Sequence, residues 1–127
     1  MKYLCLICAE KVMEQMTEAD AERHFEEYRT FTEDIRGSGH YLGSNRLLPP
    51  DAATTVRVRN GKISTTDGPW VETKEQLGGY FLIEARDLNE AIQVAAKIPG
   101  AWIGCVEVRP VAEDARTLEV LGRALPG

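Results

Sequence analysis

Long apolar runs are absent from this 127-residue chain, and nothing in it approaches the roughly 20 residues that cross a bilayer. The opening stretch, Met1 to Ala9, turns charged at Glu10; its apolar core is too short for a signal peptide and no small-residue cleavage site follows. The expectation is a cytoplasmic protein with no membrane attachment. Positive charge is also scarce, with 15 Lys and Arg against 20 Asp and Glu and a net charge of −5. A surface that binds nucleic acid directly needs a clustered basic face, so that partner is not expected. Proline is limited to 6 residues, and a composition of 43% hydrophobic and 28% charged residues excludes disordered and fibrous classes. The length suits one domain, residues 1–127, and is too short for two independent cores.

Cysteine is sparse and odd in number, at 3, which does not make a disulfide framework. Cys5-Leu6-Ile7-Cys8 has the spacing of a metal or redox pair. Its setting is a strand, however, where side chains alternate, so Cys5 and Cys8 point to opposite faces and cannot share a metal. Buried structural thiols are the expectation. The motifs of several enzyme classes are missing too. There is no phosphate-binding glycine loop, no Gly-x-Ser-x-Gly elbow and no His-Glu-x-x-His. The two histidines, His24 and His40, lie in different elements without an acidic ligand spaced to join them, so no metal site and no cofactor are expected.

What is present reads as alternating strands and helices. Tyr3 to Ala9 is apolar at both parities, as in a strand covered on both sides. Thr17 with Asp20 three residues on makes an N-cap for a helix whose stripe is Ala21, His24, Phe25, Tyr28, Phe31 or Thr32, and Ile35. Gly37-Ser38-Gly39 stops it, and a strand near Tyr41 to Leu48 ends at Pro49-Pro50. Gly79 to Ala85 is a second doubly covered strand. Asp87 and Glu90 cap a helix with the stripe Leu88, Ala91, Ile92 and Ala95, ended by Pro99-Gly100. Gly104 to Pro110 alternates as a strand, and Leu118, Leu121 and Leu125 mark a short terminal helix within Glu113 to Leu125.

The sharpest local signal is Asn60-Gly61 between Thr54–Arg59 and Lys62–Thr66. Both loop positions of a type I′ turn need positive φ, and Asn-Gly supplies it. A two-residue loop fixes the register, so Val56, Val58, Ile63 and Thr65 share one face and Arg57, Arg59, Lys62, Ser64 and Thr66 the other. Continued, the ladder sets Asp67 on the apolar face, where a carboxylate is costly unless paired or wet. The order β-α-β, hairpin, β-α-β is that of an α+β ferredoxin-like sandwich with one inserted hairpin. Two helices cover only one face of such a sheet. A second copy packed face to face covers the other; the alternative is a monomer closed by the hairpin and the terminal helix.

The candidate chemistry gathers in Thr66-Asp67-Gly68-Pro69-Trp70-Val71-Glu72-Thr73-Lys74. Asp-Gly-Pro has a plain structural reading as a turn. His24 likewise reads either as a hydrogen-bonded core residue or as a catalyst. If His24 and Asp67 meet, the carboxylate fixes the imidazole tautomer and raises its pKa, giving a general acid–base near neutral pH. Thr66, Glu72 and Lys74 would then orient a small-molecule substrate, and Trp70 would wall the pocket.

These residues carry a resemblance. Ala53–Arg59, Thr66-Asp67-Gly68-Pro69, Glu72–Ala85 and Val106–Val111, taken in order with the opening strand, make the chain similar to the YCII-related family, and to its branch named for an Asp-Gly-Pro-Phe (DGPF) signature. The resemblance implies a dimeric α-β barrel, hence a homodimer. It also implies that His24, in Glu22-Arg23-His24-Phe25, and Asp67 are the family's suspected catalytic pair. Some members are fused to or encoded beside extracytoplasmic-function sigma factors, which implies instead a non-catalytic ligand-sensing or sigma-factor-associated module. Two departures stand out: Trp70 replaces the signature Phe, and Trp102-Ile103-Gly104 stands where relatives carry Arg-His-Gly. The leading reading is metal-independent proton transfer, of isomerase or lyase type, by Asp67 and His24 in a dimer-associated cleft.

Overall fold

The computed structural model describes residues 1–9, 16–71 and 74–123. Along them run β1 (Lys2–Ala9), α1 (Glu18–Gly37), β2 (Tyr41–Arg46), a 3₁₀ turn (Pro50–Ala52), β3 (Thr54–Arg59), β4 (Lys62–Asp67), β5 (Gln76–Glu84), α2 (Leu88–Ala95), α3 (Gly100–Ile103), β6 (Cys105–Pro110) and α4 (Ala115–Leu121). The two strands apolar at both parities, β1 and β5, take the centre of a four-stranded sheet of order β2-β5-β1-β6. Every ladder in it is antiparallel. This is the ferredoxin-like α+β sandwich, with β3 and β4 as a separate two-stranded ribbon between its halves.

One sheet face makes the core. Tyr3 and Cys5 of β1 and Phe81 and Ile83 of β5 pack with Phe31 and Ile35 of α1 and Ala91, Val94 and Ile98 of the α2 region. Phe81 stands edge-on to Phe31 at 5.0 Å and to Tyr41 at 6.3 Å between ring centroids. On the opposite face Leu4, Leu6, Tyr80 and Leu82 are only half-buried. Cap chemistry holds both main helices as the sequence indicates. The Thr17 side chain accepts from the Asp20 N–H at 3.2 Å, and Asp87 from the Glu90 N–H at 2.9 Å.

The hairpin register is also as expected: Val58 faces Ile63, Val56 faces Thr65, and two further pairs bring Asp67 opposite Thr54. Asn60 and Gly61 take φ of 52° and 74° at the turn. Val56, Val58 and Ile63 are nevertheless exposed, so the ribbon's apolar face is uncovered within one chain.

Several expectations shift. The buried stripe of α2 is Ala91, Val94 and Ala95, continued by Ile98 in the turn after it, with Leu88 and Ile92 exposed, because the helix is rotated on the sheet so that the next ridge faces inward. Phe25 is exposed and lies beneath the Arg46 guanidinium at 5.6 Å instead of entering the core. β2 ends at Arg46, two residues short of the expected end. α2 ends at Ala95, and Pro99-Gly100 opens the single turn α3 instead of closing α2. α4 starts at Ala115, after Asp114 caps it, and Leu125 lies outside the described residues. Cys5 and Cys8 do face opposite sides of the sheet, yet only Cys5 is buried; Cys8 is half-buried and Cys105 exposed. No helix among the described residues is long and apolar enough to cross a membrane.

Candidate functional site

His24 sits on the first half of α1, one turn before Tyr28, so their rings meet edge to face at 4.9 Å. Tyr28 is fixed from its other sides. Its ring stacks parallel to Phe81 at 6.2 Å, and its hydroxyl accepts the Gly100 N–H at 3.0 Å. A Cβ on residue 100 would lie 2.7 Å from that hydroxyl and 2.5 Å from Ile7 Cγ2, so only glycine permits this approach. The tyrosine is thus a strut between α1, the sheet and the start of α3, and it sets the floor against which His24 rests.

Above it opens a hollow of about 490 Å³ between α1 and α3. His24, Asp20, Arg23 and Glu27 line one wall, and Trp102 and Ile103 the other. The Trp102 indole N–H donates to Ala96 O at 3.1 Å, which orients its ring, while Arg23 is ion-paired with Asp20. Nε2 of His24 is buried and has no hydrogen-bond partner among the described residues. Burial pushes the His24 pKa below 6.5, opposed by the charge of Glu27, so the ring is neutral at pH 7. A neutral imidazole carries one donor and one acceptor nitrogen, so His24 can pass a proton once its buried Nε2 gains access to a partner.

That pKa direction has a consequence for stability. The unfolded chain takes up the His24 proton first as pH falls, so the His24 contribution is complete above about pH 6.5, declines below it and levels off below the folded-state pKa. Urea melts of wild type and His24→Gln from about pH 8 to about pH 5 are expected to show the wild type losing ground to the variant on acidification. The opposite trend would show the imidazolium gaining a carboxylate partner beyond those of the single chain, as pairing with Asp67 across the proposed dimer would provide.

Asp67 is placed elsewhere. It ends β4, exposed, on the same side of the ribbon as Val56 and Ile63, and it is not part of the described lining of the His24 hollow. Just beyond it, the Gly68 N–H donates to Ala53 O and the Thr55 hydroxyl to Gly68 O, both at 2.8 Å, which seals the turn. Thr66 lies on the ribbon's other face with Arg57, whose guanidinium covers the exposed Trp70 ring at 4.9 Å. Lys74 is exposed just before β5, and Glu72 lies outside the described residues. Among the described residues no hydrogen bond or ion pair joins His24 to Asp67.

The helical stripe placed Tyr28 beside His24, but sequence reasoning missed Glu27 as a neighbour and Trp102 as the opposite wall. It also missed a second histidine array. Ser38 Oγ meets His40 Nδ1 at 2.6 Å, and His40 Nε2 meets Glu90 Oε1 at 3.1 Å. Although this is a Ser-His-Glu set, the backbone N–H groups of Ser38, Gly39 and His40 are all engaged by carbonyls of α1, leaving none of them to stabilise an oxyanion. It fastens the end of α1 to the start of α2. Among the described residues no group of three or more His, Cys, Asp or Glu could hold a metal ion.

A family model described as the YCII-related domain matches residues 1–114. An uncharacterized protein of Rhizobium meliloti (strain 1021) is 45% identical over 69 residues, which span 53% of this chain and 56% of that protein. The chain thus covers little more than half the length of this relative.

Proposed function

Because the chain belongs to the YCII-related family, we propose that it is a homodimer of the DGPF branch acting on a small molecule by proton transfer, with His24 as the acid–base and Asp67 as its carboxylate partner. The observation that carries the reading is that His24, which lines the hollow, keeps a buried Nε2 without a hydrogen-bond partner. Neither a metal nor a covalent nucleophile is needed for this chemistry, which is of isomerase or lyase type. Asp67 belongs to a different element, and the reading assigns its meeting with His24 to the dimer. The uncovered apolar side of the ribbon that bears Asp67, and the half-buried open face of the sheet, both favour a second copy as cover. Thr66, Trp70, Glu72 and Lys74, all within the same connection, are the proposed substrate contacts.

Titration of His24 by NMR in wild type and Asp67→Asn tests the pair. The expected result is a lower His24 pKa in the variant, because removing a nearby carboxylate removes its support for the imidazolium. Either His24→Ala or Asp67→Asn is also expected to lower turnover about 10²–10⁴-fold. Identical His24 titration curves in the dimer would sink the pairing. A second reading is a ligand-sensing module that docks a basic partner such as a sigma factor. The exposed carboxylates of Glu22, Glu26 and Glu33 along α1 favour it. A stable complex surviving Asp67→Asn, without turnover, would select that reading.

A further inference from the structure

Cys8 and Cys105 are 97 residues apart in sequence, and the fold makes them neighbours. They lie directly opposite each other where β1 pairs with β6, on the open sheet face away from the core. Val111 N–H donates to Lys2 O at 2.9 Å, which marks residues 2 and 111 as a hydrogen-bonded pair. Such pairs alternate along an antiparallel ladder, so Cys8 and Cys105 form another, with Cα atoms about 5.5 Å apart. That matches the Cα separation of disulfides, about 5.5–6 Å. The Cβ atoms, about 5.5 Å apart in such a pair, must close to about 3.5–4.5 Å, a local twist that the edge strand β6 can make. The two thiols already interact side chain to side chain.

We propose that Cys8 and Cys105 form a redox-modification site, a cross-strand dithiol that low-molecular-weight disulfides such as oxidised glutathione convert to an intramolecular disulfide. Cys105, the exposed sulfur, loses its proton to water and attacks one sulfur of the oxidant, forming a mixed disulfide and expelling one thiolate. Cys8 then loses its proton and attacks Cys105 Sγ, expelling the second. The protein dithiol is oxidised by two electrons and one oxidant disulfide is reduced to two thiols, so the exchange balances.

Glu75 sets the pace. The Cys105 thiol donates to Glu75 Oε2 at 3.1 Å, and that bond, with burial a smaller influence, pushes the thiol up to about 11. The carboxylate therefore keeps the pair reduced against weak oxidants and slows the first attack. Oxidation would tie edge strand β6 to β1 immediately after Ile103, a wall residue of the His24 hollow. Cys5, buried on the core side, stays out of the exchange.

Full-length protein incubated with oxidised and reduced glutathione, then read by intact mass and thiol alkylation, tests the site. The wild type is expected to lose two hydrogens and to protect Cys8 and Cys105 together from alkylation. Cys8→Ser is expected to stop at a glutathione adduct on Cys105, and Cys105→Ser to lose the intramolecular product. Glu75→Gln is expected to speed the first step roughly tenfold, since thiolate fraction rises faster than nucleophilicity falls. Stable adducts in the wild type without onward closure, or disulfides formed only between chains, would overturn the proposal. Both cysteines lie on the open sheet face that the proposed dimer would cover. The assay is therefore run on the interface variant Leu6→Glu as well as on the wild type. Closure in the variant alone shows the dimer shielding the pair, and closure in neither overturns the proposal.

Discussion

Phe81→Ala is expected to remove about 3–5 kcal/mol of folding stability, at the upper end for a single core truncation. Phe81 is 5% exposed in the central strand β5, and three rings converge on it: Phe31 edge-on, Tyr28 stacked and Tyr41 edge-on. The truncation leaves a cavity that spans α1 and the sheet, which cannot close without moving one of them. It also withdraws the stack that fixes Tyr28, and with it the surface on which His24 rests. Urea unfolding read by circular dichroism gives the loss directly. Phe25→Ala is the comparison, since Phe25 lies on the same helix face in the sequence pattern yet is 60% exposed; it is expected to stay within about 0.5 kcal/mol of wild type. A loss below about 1 kcal/mol for Phe81→Ala would mean that the aromatic cluster is not the centre of the core.

The contrast between these two phenylalanines shows what the sequence could and could not disclose. Periodicity places both Phe25 and Phe31 near the apolar stripe of α1, but which edge of the stripe turns inward depends on how the helix lies on the sheet. α2 repeats the point: Leu88, Ala91, Ile92, Ala95 and Ala91, Val94, Ala95, Ile98 are both sound helical stripes, and only docking selects the second. Features settled within a few residues were fully legible. The Asn60-Gly61 turn and its register, and the Thr17 and Asp87 caps, depend on local geometry alone. The surroundings of His24 depend instead on a hydrogen bond between residues 72 apart, Gly100 to Tyr28, which no local pattern encodes. The pairing of Cys8 with Cys105 was hidden for the same reason, since strand order has to be known before register can be counted.

Leu6→Glu is expected to abolish the proposed homodimer while leaving the chain folded. Leu6 points away from the core, flanked by Tyr80 of β5 and Glu107 of β6, and it is half-buried in the single chain. In the monomer a glutamate there keeps contact with water, so the folding cost is small. In a dimer closed over this face it is buried beside Glu107, which already holds Arg109 as its ion-pair partner, and this costs about 2–3 kcal/mol even with partial relief. A two-fold interface uses the same patch twice, so the cost appears in both copies and totals about 4–6 kcal/mol. That corresponds to a dimer dissociation constant raised by about 10³–10⁴-fold. Analytical ultracentrifugation over a concentration series measures it, with Leu88→Glu on the exposed side of α2 as a control expected to dimerise like the wild type. The same variant separates the roles of the two copies at the candidate site: if Asp67 reaches His24 only in the dimer, the His24 titration of Leu6→Glu should match that of Asp67→Asn. A Leu6→Glu protein that remains dimeric would place the interface elsewhere, with the exposed apolar side of the β3–β4 ribbon the next surface to test.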